Sequence, residues 1–145
     1  MNKPASPQDL AAKCVKEMYD KDFFSQWLGI DVLETKPGAC KLRMKVRDEM
    51  LNGFGVAHGG IVYSFADSAL AFASNSHGRV SLAVKNSVSY PEKILSGDEL
   101  TAEATEVSLG DKLAHYDISV KNQNGALVAI FGGMVYRTKK EFFKD

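Results

Sequence analysis

The sequence is poor in cysteine: only Cys14 and Cys40 occur among 145 residues, too few for a disulfide framework. Such scarcity is typical of a reduced compartment, so we expect a cytoplasmic location. Long apolar runs are also lacking, since residues 126–136, the longest, are well short of the roughly 18 residues that a membrane helix needs. The N-terminal residues lack the continuous apolar stretch of a secretory signal. We therefore predict neither export nor membrane insertion.

An excess of one charge is lacking as well, because 18 basic residues balance 18 acidic ones. This balance argues against nucleic acids and anionic membranes as partners. His77 and His115 lie far apart in sequence without the spacing of metal ligands, so we expect no metal site. No repeat, low-complexity tract or linker divides the chain, and its length suits one domain over residues 1–145.

Hydrophobic periodicity predicts a helical segment within residues 1–28, entered at Ser6-Pro7, with a second short turn of helix at 23–29. Later segments have the alternation or apolar character of strands: 40–47, 82–90, 99–107, 113–121 and 125–138. Alternation puts Asn86 on the apolar face of its strand, and the last strand is apolar on both faces, which predicts that both are covered. Turn residues at 109–112 and 122–125 predict hairpins, and hence an α+β fold with an antiparallel sheet.

A longer helix is predicted over residues 61–76. Its apolar half is wide enough to lie deep against a sheet, whereas the opposite arc is small and polar, with Asp67 near its middle. Two interpretations of this acid are open. It is either a solvent-facing or buried acid held by its neighbours, or a functional carboxylate that a ligand approaches.

Glycine is concentrated just before this helix, where residues 52–60 hold Gly53, Gly55, Gly59 and Gly60. Each glycine inside a helix costs up to about 1 kcal/mol relative to alanine, so a pair at a helix start indicates that something must approach the backbone. Free N–H groups and the positive end of the helix dipole favour a developing negative charge there. The spacing fits neither a phosphate-binding loop nor a dinucleotide fingerprint, and a tight turn without function is the alternative.

The stretches "LNGFGVAHGG" and "SFADSALAFASNS" resemble the hotdog-fold acyl-CoA thioesterases of the phenylacetic-acid-degradation, or PaaI-like, family. The resemblance covers most of residues 28–137. It implies a long central helix wrapped by an antiparallel sheet of five to six strands. It also implies a homodimer whose sheets join edge to edge, with dimers pairing into a homotetramer, and an acyl-CoA site between subunits.

The resemblance also implies roles for single residues. The backbone N–H of Gly59 would polarise the thioester carbonyl, and Asp67 would act as general base or nucleophile. Asn52 would help to place the substrate or the attacking water, while Gly60 and Ser68 would contact the substrate. No metal or cofactor is implied.

Two positions need separate treatment. His58 is assigned to the substrate by resemblance, but it is either catalytic or a structural residue that fixes the turn by hydrogen bonds, and we favour the second. Ala83 stands where some relatives carry a serine that helps the water, so that role is not transferred.

The spacing of Gly59 and Asp67 supports a shared site independently. Eight residues along one helix separate their backbones by about 12 Å, which a short aspartate side chain does not span. A carboxylate that acts together with Gly59 must therefore come from a second chain.

Other interpretations remain. The chain is alternatively a non-catalytic acyl-CoA-binding module, or a hotdog hydratase or dehydratase. Phe23, Phe24 and Trp27 either pack in the core, which we favour, or line an acyl pocket. Lys112 and Arg137 either contact the phosphates of coenzyme A or are simply solvated.

Overall fold

The structure is a computed structural model that describes residues 6–143. Residues 1–5 of the predicted helical segment, and residues 1–5 and 144–145 of the predicted domain, lie outside the described residues. Four helical segments and six strands follow in chain order. They are α1 (Pro7–Lys21), α2 (Phe23–Leu28), β1 (Asp31–Lys36), β2 (Ala39–Lys45), a 3₁₀ turn (Asp48–Met50), α3 (Gly59–Asn75), β3 (Arg79–Ser89), β4 (Glu99–Leu109), β5 (Leu113–Lys121) and β6 (Leu127–Glu141).

All six strands form one antiparallel sheet in the order β1-β2-β4-β5-β6-β3, so β1 and β3 are its edges. Helix α3 lies across one face and contacts every strand from β2 to β6. The core lies between this helix and the inward side chains of the sheet, with Phe65, Leu70 and Phe72 fully buried. The predicted α+β class and both hairpins are confirmed. No helix among residues 6–143 is long and apolar enough to cross a membrane.

Strand β1 is absent from the sequence prediction for a physical reason. It is an edge strand whose residues are all exposed or only partly buried, so it carries no alternation of apolar and polar side chains. The five predicted strands are present, and β1 completes a sheet at the upper end of the expected range.

Helix α3 begins two residues earlier than predicted, at Gly59 instead of Ile61. The His58 ring supplies an N-cap acceptor, since its Nδ1 accepts a hydrogen bond of 2.9 Å from the N–H of Gly60. The two glycines are therefore the first two residues of the helix, where glycine is less costly than in a helix interior.

The polar arc of α3 is more buried than its composition predicts, because α1 and α2 cover part of it. Ser68, Ser74 and Asn75 are all buried there.

Two groups of apolar side chains are more exposed than predicted. The favoured core role of the α2 aromatics is wrong for the chain alone: Phe23 is 77% exposed, and Phe24 and Trp27 are about half exposed. The outer face of β6 is also open, since Ile130 and Tyr136 are exposed, which contradicts the predicted cover on both faces for the single chain.

A register shift between Ala83 and Lys85 breaks the predicted alternation of β3. As a result, Leu82 and Val84 are exposed, whereas Asn86 turns its side chain toward α3. The prediction that all three share one apolar face is therefore wrong.

Candidate functional site

The glycine loop before α3 is organised by Asn52. Its side-chain oxygen accepts hydrogen bonds from the N–H groups of Phe54, at 2.8 Å, and of Val56, at 3.4 Å. Its backbone N–H also donates to the Val56 carbonyl, and Gly55 adopts the left-handed conformation that closes the turn. Among residues 6–143, nothing accepts a hydrogen bond from the Asn52 amide nitrogen. Asn52 thus shapes the loop with its oxygen, and its amide hydrogens are not used within the described residues.

The start of α3 presents one free backbone donor. The N–H of Gly60 is taken by the His58 ring, but no residue within 6–143 accepts from the N–H of Gly59. Tyr90, at the end of β3, donates its hydroxyl to the Gly59 carbonyl at 2.7 Å. A Cβ at position 59 would lie 3.3 Å from that hydroxyl oxygen. Tyr90 therefore holds the Gly59 carbonyl in place at the helix start, close to the Gly59 N–H.

Asp67 lies two turns further along α3 and is half buried. Its Oδ1 accepts a hydrogen bond of 3.2 Å from the side-chain amide of Asn86, which also donates to the Tyr63 hydroxyl at 2.9 Å. Burial raises the pKa of the Asp67 carboxyl, the hydrogen bond from Asn86 lowers this pKa, and the charge of Asp22 raises it, with a net upward shift. Asp67 is therefore a stronger base than a solvated aspartate.

The side chain of Ser68 is directed to the N-terminal helices. Its hydroxyl lies 2.8 Å from that of Ser25, and Ser25 donates to the Asp22 carboxylate at 2.6 Å. Since Ser25 has only one hydroxyl hydrogen, Ser68 is the donor of the pair. Ser68 is thus a buried link between α3 and α2 within this chain, one residue away from Asp67.

A cavity of about 270 Å³ opens beside Asp67. It is lined mainly by α3 and by the edge strand β3, including Ser74, Ser81 and Ala83. Ala83, to which no water-assisting role was transferred, thus borders this cavity, and the buried Ser81 borders it too. The β3 edge strand therefore forms one wall of the cavity beside Asp67.

The structure joins the predicted residues into two groups on one helix. Asn52, His58, Gly59 and Gly60 lie at its start, while Asp67 and Ser68 lie near its middle. Arg137 is partly buried, and its Nη1 donates to the Gly110 carbonyl at 2.7 Å.

Sequence reasoning misses two contacts of these groups. Asn86 of β3 contacts Asp67, and Tyr90, the residue that follows β3, contacts Gly59. Their positions depend on strand register, and the only sequence signal is a polar and an aromatic residue on the strand after the helix.

The chain matches the model of the thioesterase superfamily over residues 54–129. A putative esterase of Archaeoglobus fulgidus is 45% identical over 86% of this chain and 81% of its own length. Acyl-coenzyme A thioesterase PaaI of Escherichia coli is 37% identical over 83% of this chain and 86% of its own.

Solved structures agree with these relatives. The structure of E. coli PaaI superposes with a TM-score of 0.92 at 34% identity and covers 94% of this chain and 99% of its own. A Streptococcus mutans protein solved with bound acetyl CoA has a TM-score of 0.75 at 27% identity, over 77% of this chain and 90% of its own. The fold is thus the hotdog fold that the resemblance implied, and the chain belongs to the thioesterase superfamily and, within it, to the PaaI-like acyl-CoA thioesterases.

Proposed function

We propose that this chain hydrolyses acyl-CoA thioesters in a site shared by two protomers, with the Gly59 N–H polarising the carbonyl and Asp67 of the other chain supplying the carboxylate. The name of the E. coli relative, an acyl-coenzyme A thioesterase, supports the reaction, and the acetyl CoA bound to the S. mutans protein supports coenzyme A as the carrier. The proposed assembly is a homodimer that forms the site, with dimers pairing into a tetramer.

One observation carries the proposal: the Gly59 amide, which has no acceptor among residues 6–143, and the half-buried carboxylate of Asp67 belong to one helix, α3. Eight residues of helix place them about 12 Å apart, too far to act on one carbonyl. Each group is nevertheless equipped for thioester chemistry. Two antiparallel copies of α3 related by a two-fold axis would bring each acid to the other chain's amide.

The edge strand β3 offers the surface for such a dimer. Among the strands within 6–143 it pairs only with β6, so its other side leaves backbone N–H and C=O groups for a second sheet. Leu82 is 60% exposed and Val84 is 54% exposed on this edge, although an edge strand in contact with water is usually polar. The cavity beside Asp67 is lined in part by the same strand, including Leu82. Pairing of β3 with a second β3 would enclose that cavity.

The chemistry follows from the two groups. As general base, Asp67 takes a proton from water while the water oxygen bonds to the thioester carbonyl carbon. The carbonyl oxygen gains negative charge, and the Gly59 N–H stabilises it together with the helix dipole. The carbon–sulfur bond then breaks, the thiolate of coenzyme A takes up the proton, and the free acid remains. As nucleophile, Asp67 would instead attack the carbonyl carbon and expel the coenzyme A thiolate, and water would hydrolyse the resulting mixed anhydride to the free acid and the Asp67 carboxylate.

The acyl group is proposed to be aromatic or of medium chain length. Three aromatic side chains on the short helix α2 are exposed, and Phe24 stacks on Trp27 with ring centroids 6.0 Å apart. Helix α2 is held to α3 next to Asp67 through the Ser25–Ser68 contact. An apolar acyl group that enters the site would find aromatic surface there.

Replacement of Asp67 by asparagine tests the proposal. Asparagine keeps the size of the side chain and can still accept the hydrogen bond from Asn86, but it is neither base nor effective nucleophile. Thiol release from phenylacetyl-CoA, hydroxyphenylacetyl-CoA, benzoyl-CoA and straight-chain CoA esters is expected to fall by about 10²–10⁴ in kcat.

The matched control is Asp111→Asn, because Asp111 is an exposed acid on the turn between β4 and β5. This variant is expected to keep wild-type turnover. Turnover near wild type in a folded Asp67→Asn oligomer would reject the hydrolase mechanism. Stable retention of intact thioester by the wild-type protein would instead favour an acyl-CoA-binding module.

A further inference from the structure

Asn86 occupies an unusual position between the sheet and α3. Both hydrogens of its side-chain amide are used, one on the Tyr63 hydroxyl and one on Asp67 Oδ1. A carboxylate only accepts hydrogen bonds, so the nitrogen of the amide has to face Asp67. This is the one side-chain donor to Asp67 among residues 6–143.

The oxygen of the same amide is buried and has no hydrogen-bond partner within the described residues. It lies beside Gly133 of β6, where a Cβ would come within 3.0 Å of the oxygen and 2.5 Å of Leu70. A buried, unpaired amide oxygen lowers stability, because the hydrogen bonds that it gives up to water are not replaced. A residue kept in this position despite that cost needs an explanation other than stability.

We propose that Asn86 is a positioning residue that holds the Asp67 carboxylate in its reactive orientation for thioester hydrolysis. This inference rests on the proposed function. The register shift at residues 83–85 turns the Asn86 side chain toward α3, and Gly133 leaves the space that it fills. Both of its amide hydrogens are bound to Tyr63 and Asp67, so the proposed role of Asn86 is exerted through Asp67.

The groups around Asp67 determine how its pKa responds to the removal of Asn86. Asp22, at the junction of α1 and α2, acts on Asp67 through its charge, and Tyr63 shares the Asn86 amide. The residues of α1, β3 and β6 that line the adjoining cavity carry no charge. Asn86 is therefore the neighbour that favours the charged carboxylate, and its removal has a predictable sign.

The test uses two variants of nearly the same size, Asn86→Leu and Asn86→Asp. Leucine removes the donor, so the carboxylate is less well held and its pKa rises. We expect kcat to fall by up to about 10²-fold with KM nearly unchanged. The acidic limb of the kcat profile should move upward by about one pH unit. Aspartate adds a like charge, so its limb should move further upward than that of the leucine variant.

Ser87→Ala is the matched control, because Ser87 is exposed and the next residue on the same strand. It should leave both kcat and the acidic limb unchanged. If the leucine variant fails to fold, the isosteric aspartate variant decides alone. An acidic limb at the wild-type pH in the folded variants, with Asp67→Asn inactive, would overturn this inference and leave the proposed function intact. Activity in Asp67→Asn would overturn the proposed function itself.

Discussion

At the start of α3 the Gly59 N–H has no acceptor among residues 6–143, whereas at its end Asn75, Ser76 and His77 are all hydrogen-bonded. The start follows an exposed loop with Phe54 at its tip. The end is buried against the sheet. A helix needs partners for the free groups at both of its ends. Residues at the end supply such partners and serve as an anchor, whereas the start leaves the Gly59 N–H without a partner among residues 6–143.

The anchor consists of side chains that tie α3 to three other segments. Asn75 donates to the carbonyl of Ser81 at 3.1 Å and accepts from the N–H of Ser81 at 2.8 Å. The hydroxyl of Ser76 accepts from the N–H of Gly38 at 2.7 Å. His77 lies 2.7 Å from the carboxylate of Glu106. These contacts hold the helix axis in place while its start stays open.

The largest effect is expected when the Gly59 N–H at the start of α3 is removed. Proline at position 59 lacks the N–H but suits the first residue of a helix, and His58 before it already has an extended backbone. We expect kcat for Gly59→Pro to fall by about 10²–10³. The free energy of unfolding should change by less than about 1 kcal/mol. Thiol release and thermal unfolding measure the two quantities.

Gly59→Ala is the matched control for this experiment. Alanine keeps the N–H and brings the same Cβ within 3.3 Å of the Tyr90 hydroxyl. Its kcat should therefore stay well above that of the proline variant. Equal losses in the two variants would show that the Cβ, not the missing donor, causes the effect.

A smaller effect, on stability instead of catalysis, is expected at the other end. Asn75→Ala leaves the N–H and carbonyl of Ser81 and the carbonyl of Ala71 without their side-chain partner. We expect the free energy of unfolding to fall by about 2–3 kcal/mol, measured by denaturant titration. Below the unfolding transition, kcat should change far less than in Gly59→Pro.

Asn124→Ala is the control for the anchor, since Asn124 is exposed in the hairpin between β5 and β6. It should shift stability by less than about 0.5 kcal/mol. A stability loss in Asn75→Ala no larger than this value would remove the distinction between the two ends of the helix.

Much of the fold could be predicted because its signals are local. The hairpin turns, the apolar half of α3 and the alternation of β5 each follow from neighbouring residues. The distance between Gly59 and Asp67 could be predicted for the same reason, since the geometry of one helix fixes it.

The remaining features depend on contacts between distant segments. Strand β1 has no apolar face, and the burial of Ser68 comes from Ser25, 43 residues away. The position of Asn86 beside Asp67 depends on a single register shift in β3, which turns a side chain to the opposite face. Periodicity read from the sequence assumes a regular strand, so it assigns Asn86 to the wrong neighbours.

Mixed oligomers test the shared site most directly. A Gly59→Pro chain still carries Asp67, and an Asp67→Asn chain still carries Gly59, so a heterodimer of the two holds one complete site. If two inactive variants are unfolded, mixed in equal amounts and refolded, random pairing should restore about one quarter of wild-type thiol release. Mixtures that stay as inactive as their parents, although exchange of protomers is demonstrated, would contradict the account.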